Sequence, residues 1–179
     1  MSSLSFSLVP FPSRETPPEV SIAGVIERQH EELSITYVLR GSLSKLAVPP
    51  VAKVPTRREL LWKETCFEFF IAAGNTGRYW EFNLSPAGHW NVCRFSSYRQ
   101  GMQEEPAFSS LPLTIQVQPY ALELSLVVDL GKIIPAGSTL RVGAGAVIKT
   151  ARGRRSYWAL IHHGPDPDFH LRDSFVIEL

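Results

Sequence analysis

Residues 61–95, LWKETCFEFFIAAGNTGRYWEFNLSPAGHWNVCRF, decide the fold. They hold three of the four tryptophans, both cysteines and three strand-like segments in succession. Across 79–85 the side chains alternate: Trp80, Phe82 and Leu84 point one way, and Tyr79, Glu81, Asn83 and Ser85 the other. A period of two with one apolar side marks a half-buried strand. The run 89–95 alternates too, with Trp90 and Val92 set against His89, Asn91 and Cys93. A two-residue loop of Pro86 and Ala87 would place Leu84 opposite His89 and mix the faces. A loop of Pro86, Ala87 and Gly88 instead places Leu84 opposite Trp90 and Phe82 opposite Val92. Gly88 then falls where such loops need a left-handed residue, so this longer loop sets the expected register.

That register gathers Glu81, Asn83 and Ser85 beside Cys93, Asn91 and His89 on the face away from the core. Antiparallel sheets commonly wet one side. The face therefore reads either as an ordinary solvated surface or as a concave platform of amide and carboxylate groups for a polar ligand. The preceding strand, 65–71, carries Phe67, Phe69 and Ile71 on one face and Cys66, Glu68 and Phe70 on the other. A glutamate among aromatics is costly to bury unless it is paired. Glu68 is thus expected at a sheet margin or lining a site, and Gly74-Asn75-Thr76-Gly77 forms the turn into the hairpin.

Outward from this centre, Leu4, Phe6 and Leu8 alternate with serines in a first strand that stops at Pro10-Phe11-Pro12. Segment 20–27 suggests a second strand, and Leu33, Ile35, Tyr37 and Leu39 a third that ends at Gly41. Residues 42–58, with Pro49, Pro50, Pro55, Lys53, Arg57 and Arg58, read as a long ordered loop, where functional residues often sit. Beyond Phe95 the polar connection SSYRQGMQEEP leads to a strand at 113–118 and then to one with Leu122, Leu124, Leu126 and Val128 inward. Leu140, Val142, Ala144, Ala146 and Ile148 mark a long strand whose other side carries Gly143 and Gly145. Glycines inside a strand mark a bulge or a close approach by another group. KTARGRR (149–155) reads as a solvated basic turn or an anion site. SYWALIHH (156–163) reads as another strand, and 174–179 as a closing strand with Phe175, Ile177 and Leu179 inward. Nine or ten short strands without a long amphipathic helix indicate an all-β fold, an antiparallel β-sandwich forming a single domain over 1–179.

Composition narrows the function classes. The formal charge of +1, from 18 basic and 17 acidic residues, gives no bulk pull toward nucleic acid or membrane. No apolar stretch reaches membrane-spanning length, and MSSLSFSLVPFPSRE lacks a basic leader, so the expected location is cytoplasmic. Cys66 and Cys93 are expected as free thiols, with a bridge between neighbouring strands as the alternative. No Gly-rich phosphate motif, zinc-ligand spacing or nucleophile elbow occurs.

The blocks LWKETCFEFF, YWEFNLSPAGHWNVCRF and SYWALIHHGPDPDFHLRDSFVIEL resemble the DOMON-like domains, which are similar to the family nine carbohydrate-binding modules. The resemblance implies two packed antiparallel sheets with a sugar or haem held in a concave site. In the carbohydrate-binding relatives two aromatic rings clamp a terminal sugar while carboxylate, amide and arginine groups bond its hydroxyls. Carried onto this chain, it implies Trp62 as the first clamp and Glu68 as the carboxylate that follows. The resemblance offers Trp158 as the candidate for the second aromatic, although its alternation with Leu160 also suits a core position, and Phe169 is the fallback. The expected site of a non-catalytic module for a small saccharide, with no resident cofactor, is Trp62, Glu68, Glu81, Asn83, Arg94 and the 163–170 loop. Arg94 has the parity of Val92 and reads equally as a partner for a carboxylate at the strand end.

Two other readings are carried beside it. Haem binding would draw on Met102 with His162, His163 or His170 as axial ligands. A metal-dependent enzyme would use His163, Asp166, Asp168 and His170, a segment that also reads as a proline-braced turn with capping aspartates. Asp168 and His170 flank Phe169, so in an extended segment they share one side. With Phe169 anchored in the core, Trp62, Glu64, His163, Asp168 and His170 are expected to converge on one cleft.

Overall fold

Alternating apolar residues and short turns build twelve strands in the computed structural model, which describes residues 2–179. They are β1 (Ser2–Pro10), β2 (Val20–Gln29), β3 (Glu32–Gly41), β4 (Cys66–Ala73), β5 (Tyr79–Leu84) and β6 (Trp90–Phe95). There follow β7 (Gln103–Glu104), β8 (Leu113–Gln118), β9 (Ala121–Asp129), β10 (Leu140–Lys149), β11 (Arg155–Ala159) and β12 (Ile177–Glu178). Neighbours pair antiparallel in the order β7-β6-β5-β4-β10-β11-β1-β2-β3-β9-β8, with β12 beside β10. The ladder folds over at β1, where Ser2 to Leu8 pair with β2 while Val9 and Pro10 cross to Ala159 and Trp158 of β11. The result is the expected all-β antiparallel sandwich, with twelve strands rather than nine or ten, the very short β7 among them lying inside the polar connection after Phe95.

The central hairpin has the register that its alternation requires. Leu84 faces Trp90, Phe82 faces Val92 and Asn83 faces Asn91. Ser85 N–H donates to His89 O at 2.9 Å and Gly88 N–H to Ser85 O at 2.8 Å, closing a loop of Pro86, Ala87 and Gly88. Gly88 sits at φ +90°, the left-handed conformation that a side chain would strain.

Between the layers, Phe67, Phe69, Ile71, Phe82 and Leu84 pack against Ile22, Ile26, Leu33, Ile35 and Tyr37. Phe69 stacks on Phe82 at 4.4 Å between ring centroids. Tyr37 Oη, buried in this core, donates to Glu68 O at 2.7 Å and so satisfies its one polar atom across the layers.

The other face of β4, β5, β6 and β10 is covered rather than wet. Phe70, Tyr79, Cys93 and Phe95 form a second apolar cluster with Phe175, and Phe169 packs against it. The paired glycines explain the fit. A Cβ on Gly143 would lie 2.8 Å from Phe175 Cδ1, and one on Gly145 would lie 3.1 Å from Phe169. The close-approach reading of these glycines is the correct one. Phe175 therefore does not join Ile177 on the inner face. It drops onto the outer face after the 3-10 turn Arg172–Ser174, which shortens the expected closing strand to Ile177–Glu178. Likewise β11 ends at Ala159 rather than running to residue 163. Both cysteines are free and buried, separated by β5.

Candidate functional site

The outer face of β5 and β6 forms the floor of a cavity of about 320 Å³, with Glu81, Asn83, Asn91 and Cys93 at its base. One wall is residues 58–62, ending in the 3-10 turn Leu61–Lys63 that carries Trp62. The other is Met102, Gln103 and Glu104. Arg57 fixes the first wall. Its guanidinium lies 4.4 Å above the Trp90 ring and donates to Asn91 Oδ1 (3.0 Å), Val92 O (3.2 Å), Glu105 O (2.9 Å) and Phe108 O (2.6 Å). Planar, multi-donor geometry of this kind is what guanidinium provides and ammonium does not. Beside it, His89 Nδ1 accepts from Thr56 N–H at 3.1 Å, which leaves the His89 proton on Nε2.

The floor has a defined donor and acceptor pattern. Asn91 Oδ1 is taken by Arg57 and by Val92 N–H at 2.9 Å, so its Nδ2 is the group left to donate. Asn83 Nδ2 donates to Glu81 Oε1 at 2.8 Å, and Cys66 Sγ lies 3.7 Å from Asn83 Oδ1. Glu81 Oε2 remains, 3.9 Å from His170 Nε2.

His170 is held from the side. Tyr79 Oη accepts from Arg99 N–H at 3.1 Å and is hydrogen-bonded to His170 Nδ1, 2.8 Å away. With Tyr79 as the donor of that bond, the histidine proton is on Nε2, facing Glu81. Phe70, Tyr79 and Phe95 enclose the imidazole at 5.0, 5.8 and 5.2 Å between centroids. That burial, aided by the Arg99 charge and opposed by Asp168, lowers its pKa to about 4. Burial raises the Glu81 carboxyl, with the Asn83 hydrogen bond and Arg99 pulling the other way. Burial thus opposes charge on both groups, and their 3.9 Å approach is a polar contact rather than an ion pair.

Glu68 is neither at a margin nor in the cavity lining. It lies mid-sheet between Asn83 of β5 and Gly145 of β10, 4% exposed, with Oε1 lacking any hydrogen-bond partner. Burial first, and the neighbouring Glu81 second, push its pKa well above the usual carboxylate range. Asp168 serves as a clasp. It accepts from Tyr98 Oη, from Arg99 Nη2 at 2.9 Å and from His170 N–H at 2.9 Å. Burial raises its carboxyl, but these three donors outweigh burial and hold it below its ordinary value.

The structure thus brings Trp62, Glu81 and Asn83 to one cavity and sets His170 against Glu81. The other expected site residues lie elsewhere. Glu64 is exposed and paired with Lys149 at 2.7 Å, outside the cavity. Trp158 is a core residue, 4% exposed, with Nε1–H donated to Ser156 Oγ at 2.9 Å; its parity with the inner face of β11 decides this. Arg94 lies on the face opposite the cavity, donating to Gln103 Oε1 at 2.8 Å and 3.9 Å from Glu105 Oε2, as a partner at the strand end. His163 is half-buried, with Nε2 unpartnered, and does not line the cavity. The expected five-residue cleft is therefore divided, because Asp168 is spent on the clasp and Phe169 rests half-buried over Gly145 rather than in the core between the layers. Of the haem-ligand set, Met102 is at the cavity wall, while His162 contacts Val9 O at 2.9 Å and His170 is engaged by Tyr79. Among the described residues no group of three His, Cys, Asp or Glu side chains is placed to hold a metal ion.

Sequence reasoning missed Arg57, Asn91 as a donor, and the Tyr98–Arg99 clasp. Asn91 was visible in the alternating polar face. Arg57 was one base among several in its loop, and its partners are mostly backbone carbonyls that no pattern reveals.

No family model and no curated protein matches the sequence. Solved structures do. A candidate carbohydrate-binding protein from Bacteroides uniformis superposes with a TM-score of 0.71 at 14% identity, covering 96% of this chain and 83% of that one. A family nine carbohydrate-binding module from Caldicellulosiruptor kristjanssonii, in complex with glucose, gives 0.52 at 9% identity, over 81% of this chain and 69% of its own. The same module with cellotriose gives 0.50 at 8% identity, over 81% and 67%. At these identities the likeness is one of fold, and the chain has the antiparallel β-sandwich fold of carbohydrate-binding modules.

Proposed function

We propose that the protein is a binding module for a saccharide, held in the cavity above β5 and β6. The observation that carries this reading is the floor of Glu81, Asn83 and Asn91 beside the Trp62 ring, which is 41% exposed at the rim. A sugar hydroxyl needs directional donors and acceptors, and the C–H face of a pyranose suits an aromatic surface. Asn91 Nδ2 supplies a donor and Glu81 Oε2 an acceptor, which together complement neighbouring hydroxyls. At about 320 Å³ the cavity lies at the small end of ligand pockets, a size suited to a terminal sugar unit. The structural neighbours that hold glucose and cellotriose support the same ligand class.

Titration calorimetry with glucose, cellobiose and cellotriose tests the reading. Trp62→Ala and Asn91→Ala should each weaken binding about tenfold, the equivalent of roughly 1.4 kcal/mol. Absence of binding to any neutral saccharide, or wild-type affinity in both variants, would remove it.

A further inference from the structure

A second cavity, of about 260 Å³, opens where the 11–18 segment meets the turn between β10 and β11. Arg14, Arg154 and Arg155 line it, with Thr150, Tyr157 and a single carboxylate, Glu15. Glu15 Oε2 is already paired with Arg154 Nη1 at 3.2 Å. Among the described residues, the Arg14 and Arg155 side chains form no hydrogen bond and no ion pair. Two uncompensated guanidiniums therefore face one concavity in a chain whose net charge is only +1. We propose that this cavity is a binding site for an oxyanion group, a phosphate, sulfate or carboxylate carried on a small organic molecule.

The backbone frame of the site is set before any ligand arrives. The β10–β11 turn is fixed by Thr150 N–H to Arg154 O (2.8 Å), Gly153 N–H to Thr150 O (2.8 Å) and Arg154 N–H to Thr150 Oγ1 (3.2 Å). Ala151 N–H donates to Lys45 O at 2.9 Å, so the turn is also pinned from outside the hairpin. Gly153 accepts φ +84°, the conformation that lets the basic turn close. The opposite wall is held by Phe11 N–H to Tyr157 O at 2.7 Å. A ligand here orders little backbone, and the remaining cost is that of fixing the Arg14 and Arg155 side chains.

The chemistry selects the ligand class. Guanidinium forks match the paired oxygens of phosphate, sulfate or carboxylate, and such charge-assisted bonds are about twice as strong as neutral ones. Phe11, Pro17, Pro18 and Pro167 supply apolar wall, which lowers the local dielectric and suits the carbon body of an organic anion. Pro167 also shows where this site lies. It precedes Asp168, whose carboxylate turns instead to Tyr98 and Arg99, so the C-terminal segment stands between the basic cavity and the polar one. The proposal does not rest on the saccharide reading.

The experiment is titration calorimetry at low salt with inorganic phosphate, glucose 6-phosphate, glucuronate and neutral glucose. The proteins are the wild type, Arg14→Gln/Arg155→Gln and Trp62→Ala. Saturable binding of at least one anion is expected, weakened about tenfold or more in the double variant and reduced as ionic strength shortens the Debye length. Trp62→Ala should bind inorganic phosphate as the wild type does. Glucose 6-phosphate or glucuronate binding more tightly than inorganic phosphate supports an organic anion, and equal affinities assign the site to free phosphate. Both substituted arginines are exposed, so the double variant is expected to fold, and an unchanged melting curve verifies that. No saturable binding of any anion, or undiminished binding in the folded double variant, overturns the proposal.

Discussion

Acid should destabilise this fold through His170, and the size of the effect follows from its surroundings. The imidazole is enclosed by Phe70, Tyr79 and Phe95, and burial lowers its pKa from 6.5 to about 4. In the unfolded chain the same group titrates near its ordinary value. Between those two values the unfolded state holds a proton that the native state does not, so native stability rises with pH across the window. The contribution is complete above pH 6.5 and is lost as pH falls toward 4. At 1.36 kcal/mol per unit, the full window amounts to about 3 kcal/mol. Glu68 and Glu81 act in the opposite sense, since their raised pKa values make the native state hold protons that the unfolded chain releases. Comparison with His170→Asn separates the two effects, because Asn retains an acceptor for Tyr79 Oη and cannot titrate. Urea unfolding at pH 7, 6, 5 and 4 should show the wild type losing about 3 kcal/mol more than the variant. Parallel profiles, differing by less than about 0.5 kcal/mol, would show that the histidine is solvated and that the aromatic enclosure argument is wrong.

The same packing makes two further claims. Gly143→Ala brings a Cβ to 2.8 Å from Phe175 Cδ1, and urea unfolding should show a cost of about 1–3 kcal/mol; combined with Phe175→Leu the loss should be less than additive. Trp158→Ala removes a core side chain and should cost about 3–5 kcal/mol, while titration calorimetry on the folded fraction shows saccharide affinity unchanged.

What was legible in the sequence is what local chemistry determines. The hairpin register follows from alternation and one glycine, and Phe82 opposite Val92 is where both require it. The inward faces of β3, β9 and β10 are equally local, because period two in a strand leaves no other assignment. The cover over the outer sheet face was not legible. Residues 164–176 have no periodicity, and their placement depends on Phe169 and Phe175 meeting Gly145 and Gly143, partners that only the folded backbone aligns. The candidate site divides along the same line. Glu81 and Asn83 were apparent from the polar side of a strand, whereas Glu64 and Arg94 were drawn to Lys149 and Gln103 by neighbours that no spacing records. Trp158 shows that one residue type serves two ends, and its parity in β11 outweighed its aromatic character.

The crossing strand β1 bears on how such a chain reaches its folded state. Val9 pairs with Ala159, 150 positions further along, while Leu8 immediately before it pairs with Ile22. One continuous strand thus belongs to a hairpin of short sequence separation and also to a joint that cannot form until residues 158 and 159 exist. On a ribosome, β1 and β2 emerge as a ribbon whose far end keeps its backbone donors and acceptors open until β11 follows. Contacts of such long sequence separation slow the search for the native state, and an unpaired strand end in the interval invites pairing with another molecule. Pro10 stands at that end, where it has no N–H to offer to an intruding strand.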